Sequence, residues 1–387
     1  MKVLGWAVLS SLVLSHCGRP EESRLGEAPP PDNEPSNFGI KDLKLDTTMT
    51  KYARPVTPWP GDYWPTIRGG ISFRWKTQKP ETQDKKYQDF LYPIMKKKEV
   101  DTLTSEKIAT LSPAEKYDLW MGRTDFGSSS LTSYERDFTL DAAKKWEGKV
   151  PTWIGICNGW SLASVFVPAP RKPVVTKGPN GQTVKFYPDD IKALASLVYN
   201  EYQEEAHIYR IGNRCSDKKY DSKVRSKKSD CRDINPMSMH LALTRYFAQG
   251  GILIADVDPG VEIWNNPVAG FSIKYESVKS LPADYKYAAA NAKKIIHVET
   301  IMTYTDEIDP KESELTVKEL QEAMTTMKLS YTLELDEDLK IVGGEWDLGS
   351  EHPDFLWYTD DTPNSTNMPK DLPISLEKLN LLIAHSQ

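Results

Sequence analysis

Trp153-Ile154-Gly155-Ile156-Cys157-Asn158-Gly159-Trp160-Ser161-Leu162-Ala163-Ser164-Val165-Phe166-Val167 is the stretch on which the fold turns. Its first residues run apolar into Cys157, and the next ten have helical composition, ended by Pro168 and Pro170. That places Cys157 at a helix N-terminus, where the helix dipole and the free N–H groups stabilise a thiolate and could bind a developing oxyanion. Gly155, Gly159, Ala163 and Ser164 let such a helix pack close to a neighbouring element. A lone cysteine here has two readings, an inert buried thiol, which is common, or a nucleophile. Trp153, Asn158 and Trp160 flank it as candidates to line a cleft or donate to an oxyanion, with core packing the alternative for at least one tryptophan.

A nucleophile needs a base. Of six histidines, His16 and His385 lie near the ends, His297 sits in a strand pattern, and His207 and His352 have no telling context. His240 follows Asn235-Pro236 and opens an expected helix, Leu241 to Gln249, before Gly250-Gly251. That helix rises about 13 Å at 1.5 Å per residue. The apolar run Ile252-Leu253-Ile254-Ala255-Asp256 returns a similar distance as a strand, at about 3.3 Å per residue. Packed antiparallel, the two would bring Asp256 level with His240, where a carboxylate could orient the ring. Asp258 is the rival acid. Asp256, Asp258 and Glu262 could alternatively take calcium, although their spacing matches no standard loop. No other metal site is expected, and the thiol chemistry needs no cofactor.

The stretch Val261-Glu262-Ile263-Trp264-Asn265-Asn266-Pro267-Val268-Ala269-Gly270-Phe271 closely resembles the surface peptide of the oomycete transglutaminase elicitor family. Asn266 and Ala269 stand where glutamine and arginine are common there. Trp153 to Trp160 looks like that family's nucleophile segment. Asp189 to Leu194, Cys231 to His240, Ile252 to Asp256, Gly343 to Trp346 and His352 to Trp357 look like its other blocks. The resemblance implies a Cys-His-Asp transglutaminase with a fold distantly similar to papain-like enzymes. Block by block it makes Cys157 the nucleophile, His240 the base and Asp256 the acid, and it leaves His352 structural. The implied reaction joins protein-bound glutamine to lysine or another primary amine through a thioester. A cysteine protease or amidase with the same triad is the first alternative, and a non-catalytic surface lipoprotein the second.

The chain has 387 residues, a net charge of −6 and no basic excess, which gives no sign of a nucleic-acid partner. Lys2 and the apolar Val3 to Leu14 have signal-peptide form and are too short to span a bilayer. Leu14-Ser15-His16-Cys17 resembles a lipoprotein cleavage box, with Cys17 lipidated and residues 1–17 the signal; plain secretion is the alternative. Gly18 and Arg19 place no acid after Cys17, which points to outer-membrane sorting. Residues 18–45, with Pro29-Pro30-Pro31, read as a proline-rich linker. In an exported protein Cys215 and Cys231 are expected to pair, a bridge worth about 3 kcal/mol in the chain-entropy model; a zinc site is the alternative, although no CxxC or histidine pair stands nearby.

The catalytic domain is expected over 46–387, with a helical part over 80–150, a core over 151–280 and a β-rich part over 281–387. Ser112-Pro113-Ala114-Glu115 is a capping box. Phe138 to Lys149 predicts a helix, Pro179-Asn180-Gly181-Gln182 a hairpin turn, and Asp189 and Asp190 the start of another helix. Ile295 to Ile301, Leu329 to Leu335 and Lys340 to Val342 predict strands. The class is α+β, with a helical N-terminal part and a mostly antiparallel β C-terminal part.

Overall fold

The protein is described from a computed structural model. It covers residues 29, 31–78, 92–202, 206–214, 233–258, 260, 262–285 and 288–387. Cys17, Cys215 and Cys231 lie outside these residues, as do the expected signal and bridge. Among the described residues no helix is long and apolar enough to cross a membrane.

Helices dominate the first half. α1 (Lys97–Val100), α2 (Ser105–Ile108), α3 (Pro113–Trp120) and α4 (Leu131–Lys145) precede α5 (Cys157–Phe166) and α6 (Pro188–Glu201). The Ser112 capping box opens α3: Ser112 Oγ accepts from the Glu115 N–H, and Glu115 returns to the Ser112 N–H at 3.0 Å. The helix expected at Phe138–Lys149 starts earlier, at Leu131, because the Ser130 hydroxyl caps the Ser133 N–H. α6 opens likewise, with Asp190 accepting from the Tyr187 N–H.

The sheet comes mostly from the second half. Its strands are β1 (Lys51–Ala53), β4 (Tyr209–Gly212), β5 (Ile254–Asp256), β6 (Asn265–Tyr275), β7 (Lys279–Ser280), β8 (Lys294–Thr305), β9 (Met324–Leu335), β10 (Ile341–Trp346) and β11 (Phe355–Tyr358). The order is β10-β9-β8-β6-β5-β11-β4, with β1 on β6 and β7 on β8, and every pairing is antiparallel. β2 (Val174–Lys177) and β3 (Thr183–Phe186) form the separate hairpin around Asn180-Gly181. α7 (Pro236–Leu241), α8 (Val317–Glu322) and α9 (Leu376–His385) complete the chain.

Side chains alternate across a strand, and here the alternation sorts two cores. Ile254 and Trp357 join the helical core with α3, α5 and α6. Leu253, Ala255 and Leu356 join the second core with α7 and the long strands. Asp256 therefore shares the face of Ile254, toward α5.

Two expectations are corrected. Residues 31–45 are not a linker: Phe38 and Ile40 are buried, Phe38 packs edge-on to Tyr358 at 4.9 Å, and Leu45 donates to the Leu339 carbonyl at 2.9 Å. Their apolar side chains outweigh the polar, proline-rich setting. The helix expected at Leu241–Gln249 begins at Pro236, because the Asn235 side chain caps the Met237 N–H at 2.9 Å. It continues as a wide π turn over Ala242–Tyr246 and ends at Gly250, with φ +94°. His240 is thus in the body of the helical segment rather than at its start.

Two buried carboxyls bind this scaffold together. Burial, with the Glu201 charge nearby, pushes Glu135 up to about 8, and it accepts from the Ile71 N–H at 3.0 Å. Burial pushes Glu334 up to about 7, and it accepts from the Ala289 N–H at 2.7 Å. Raised carboxyls hold more protons in the folded state than in the unfolded chain, so stability falls as pH rises through the window between the two values. The melting temperature should therefore climb as pH drops from 8.5 to 6.5, and Glu135→Gln should flatten that slope. A melting temperature that climbs toward pH 8.5 would contradict the assignment.

Candidate active site

Cys157 is the first residue of α5, as the sequence predicts. Two close approaches hold the helix there. The Ile156 N–H donates to the Tyr63 carbonyl at 2.8 Å, and Gly159 lies against the backbone of α6. The thiol is 5% exposed and donates to the Ile263 carbonyl at 3.7 Å. Its sulfur accepts from Asn265 Nδ2 at 3.5 Å, and Asn265 Oδ1 accepts from Trp357 Nε1 at 2.8 Å. Burial pushes the Cys157 thiol up to about 11; the Asn265 N–H groups pull it down, and the Glu307 and Asp256 charges push it further up. At neutral pH it is a thiol.

Asp256 stands directly opposite Asn265 in the β5–β6 register, so the two side chains share a face about 5 Å apart at Cβ. Oδ1 accepts from the Trp264 N–H at 2.8 Å, while Oδ2 is buried without a hydrogen-bond partner. Burial is the main cause of a pKa raised to about 7, opposed by the N–H donors of Trp264 and Asp258. Asp258, the rival acid, accepts from the Gly260 N–H, and Glu262 accepts from Trp264 Nε1, each at 2.8 Å. With these acids turned to local donors, no group of three histidine, cysteine or carboxylate side chains is arranged to hold a metal ion among the described residues.

His240 is not brought to Cys157. Its ring is 1% exposed in the second core, with Nδ1 on the Tyr331 hydroxyl at 2.9 Å and its edge against Tyr275. Burial pushes it down to about 3, so it is neutral and held. From Asn265, beside Cys157, to Tyr275, beside His240, β6 advances ten residues, on the order of 30 Å. The expected helix–strand return fails for a second reason: Asp256 points to the opposite face of the sheet from α7.

The other described histidines are engaged elsewhere. His207 packs on Tyr209, and His297 meets Asp347 at 2.8 Å. His352 pairs with Asp233 at 2.8 Å and stacks on Trp346; His385 ends α9. None of the described histidines hydrogen-bonds Cys157.

The flanking candidates divide. Trp160 is fully buried with its N–H on the Trp59 carbonyl at 3.3 Å, which corrects its reading as an oxyanion donor. Trp153 is half-buried, with the Arg214 guanidinium 5.7 Å from its ring centre. Asn158 is half-buried in the first turn of α5. Sequence reasoning did not single out Asn265 or Trp357. The signals were their places in family-like stretches, Asn265 in the Val261–Phe271 peptide and Trp357 at the end of the His352–Trp357 block; the contact of Asn265 with Cys157 depends on the β5–β6 register, which no local pattern encodes.

A family model described as transglutaminase elicitor matches residues 36–387. Among solved structures, the chain is similar to the GP42 transglutaminase from Phytophthora sojae. The two are 24% identical with a TM-score of 0.67, over 93% of this chain and 99% of that one. At that identity the likeness shows a shared fold, mixed helix and antiparallel sheet. No curated protein matches.

Proposed function

Because the chain belongs to the transglutaminase elicitor family, we propose that it is a protein-glutamine γ-glutamyltransferase acting through Cys157. The observation that carries the reading is a cysteine at the N-terminus of a ten-residue helix, with a buried carboxyl of raised pKa one strand away. In place of His240, Asp256 is assigned the proton. Its carboxylate takes the Cys157 proton as sulfur attacks the γ-carboxamide carbon of a protein-bound glutamine. The oxyanion faces the N–H groups of the first turn of α5. The C–N bond breaks and the proton leaves with ammonia. A lysine or other primary amine then attacks the thioester, its proton passes by way of the Asp256 carboxylate to the departing sulfur, and an isopeptide bond is left; water in place of the amine gives glutamate. At rest the proton stays on sulfur, because burial holds the Cys157 thiol well above the Asp256 carboxyl.

In this reading the enzyme is exported and, if Cys17 is lipidated, held at the cell envelope. A non-catalytic surface binding protein is the second reading. The observation favouring it is that no described histidine reaches Cys157.

The test is incubation of the chain with a glutamine-bearing protein and a labelled primary amine. Incorporation with matching ammonia release supports the transferase. Peptide-bond cleavage without incorporation makes it a protease. Neither outcome, with Cys157 inert to a glutamine-mimicking electrophile, leaves the binding protein.

A further inference from the structure

Asn265 is held between two partners that fix its orientation. It is 7% exposed, and Trp357 is 4% exposed. An indole N–H only donates, so the 2.8 Å bond from Trp357 Nε1 must end on the carboxamide oxygen. That leaves the NH2 end facing Cys157 Sγ at 3.5 Å. An amide N–H can donate to a thiolate but not accept from a thiol, so this orientation favours the charged sulfur. The flipped amide would present oxygen to sulfur and favour the neutral thiol. The two ends of the carboxamide are thus unequal for the chemistry, and the Trp357 N–H decides between them. Trp357 and Asn265 reach this face from different strands, β11 and β6. Trp357 pairs with Ile254 on β5, two residues before Asp256, which joins the three strands into one wall beside Cys157.

We infer that Asn265 stabilises the Cys157 thiolate by donation from its carboxamide, and that Trp357 is the positioning residue that keeps the amide's donor end on the sulfur. Two Asn265 donors pull the thiol down against burial, the backbone N–H first and the carboxamide second, and Asn265→Leu removes only the second. The inference deepens the acyltransferase reading but is read from thiol reactivity alone, so the failure of either is separable from that of the other.

The experiment is the rate of Cys157 alkylation by iodoacetamide in the full chain between pH 7 and 9.5, followed by mass spectrometry of the Cys157 peptide. Below the thiol pKa the logarithm of the rate rises with unit slope, and a change in thiolate stability displaces that line. Asn265→Leu keeps the volume and removes the donor; it should lower the line about tenfold, the loss of roughly one hydrogen bond. Trp357→Phe keeps an aromatic ring but loses the indole N–H together with part of the ring system; it should lower the line about threefold, within the range of a partly lost hydrogen bond. Added to Asn265→Leu, Trp357→Phe should slow alkylation no further, since it acts through the amide; a merely structural role would add. Unchanged or faster alkylation in Asn265→Leu overturns the inference. If that variant does not melt cooperatively, Trp357→Phe decides alone, and an unchanged line there overturns it. Slowing that adds fully in the double variant overturns the positioning role of Trp357.

Discussion

Cys157→Ala should reduce amine incorporation by at least about a thousandfold, the scale on which nucleophile removal acts in cysteine and serine enzymes. Asp256→Asn should cost a similar order, because it removes the carboxyl that faces Asn265 across the β5–β6 pair. Its pH signature is the sharper observation. With Asp256 near 7 and Cys157 near 11, wild-type rate should rise with pH through 7 as the carboxylate forms. Asp256→Asn should remove that step.

His240 supplies the contrast. His240→Gln disturbs a buried contact with Tyr331, so it should cost about 1–2 kcal/mol of stability and leave the pH–rate profile in place. A profile that loses its ionisation in His240→Gln but keeps it in Asp256→Asn would return the base to His240 and sink the assignment made here.

The second large effect belongs to Gly159. A Cβ there would lie 2.2 Å from the Ser196 carbonyl oxygen and 2.8 Å from the Asn200 nitrogen, both backbone atoms of α6. Neither helix can yield by a side-chain rotation. Gly155 is pinned likewise, with a Cβ 2.5 Å from the Tyr63 carbonyl oxygen. Gly159→Ala must therefore push α5 bodily away from α6. The cost should be about 3 kcal/mol, at the upper end for overpacking, read as a lowered urea midpoint. Because Cys157 lies two residues before Gly159, the same shift should draw the sulfur from Asn265. A displacement near 1 Å lowers rate about a hundredfold. An unchanged midpoint would mean that α5 and α6 are not in the contact described.

Local chemistry was readable where a few neighbouring residues suffice. Ser112 and Glu115 cap α3, Asn180-Gly181 turns β2 into β3, and the apolar run ending at Cys157 gives way to α5. The family-like blocks spread over the chain agree with the match over residues 36–387. The ordered segment 31–45 was not readable, because Phe38 finds its partners some 200 residues or more away, at Tyr246 and Tyr358.

The primary structure alone determined that a lone cysteine opens a helix, and that a short apolar strand ends in Asp256. It could not determine what meets that sulfur. Sheet geometry decided it: a strand sends successive side chains to opposite faces, so Asp256 turns toward α5 while α7 and His240 lie behind the sheet. The pairing of β6 and β11 with β5 then delivered Asn265 and Trp357 to the thiol. Such pairing is set by packing and register over long separations, and single residues carry no mark of it.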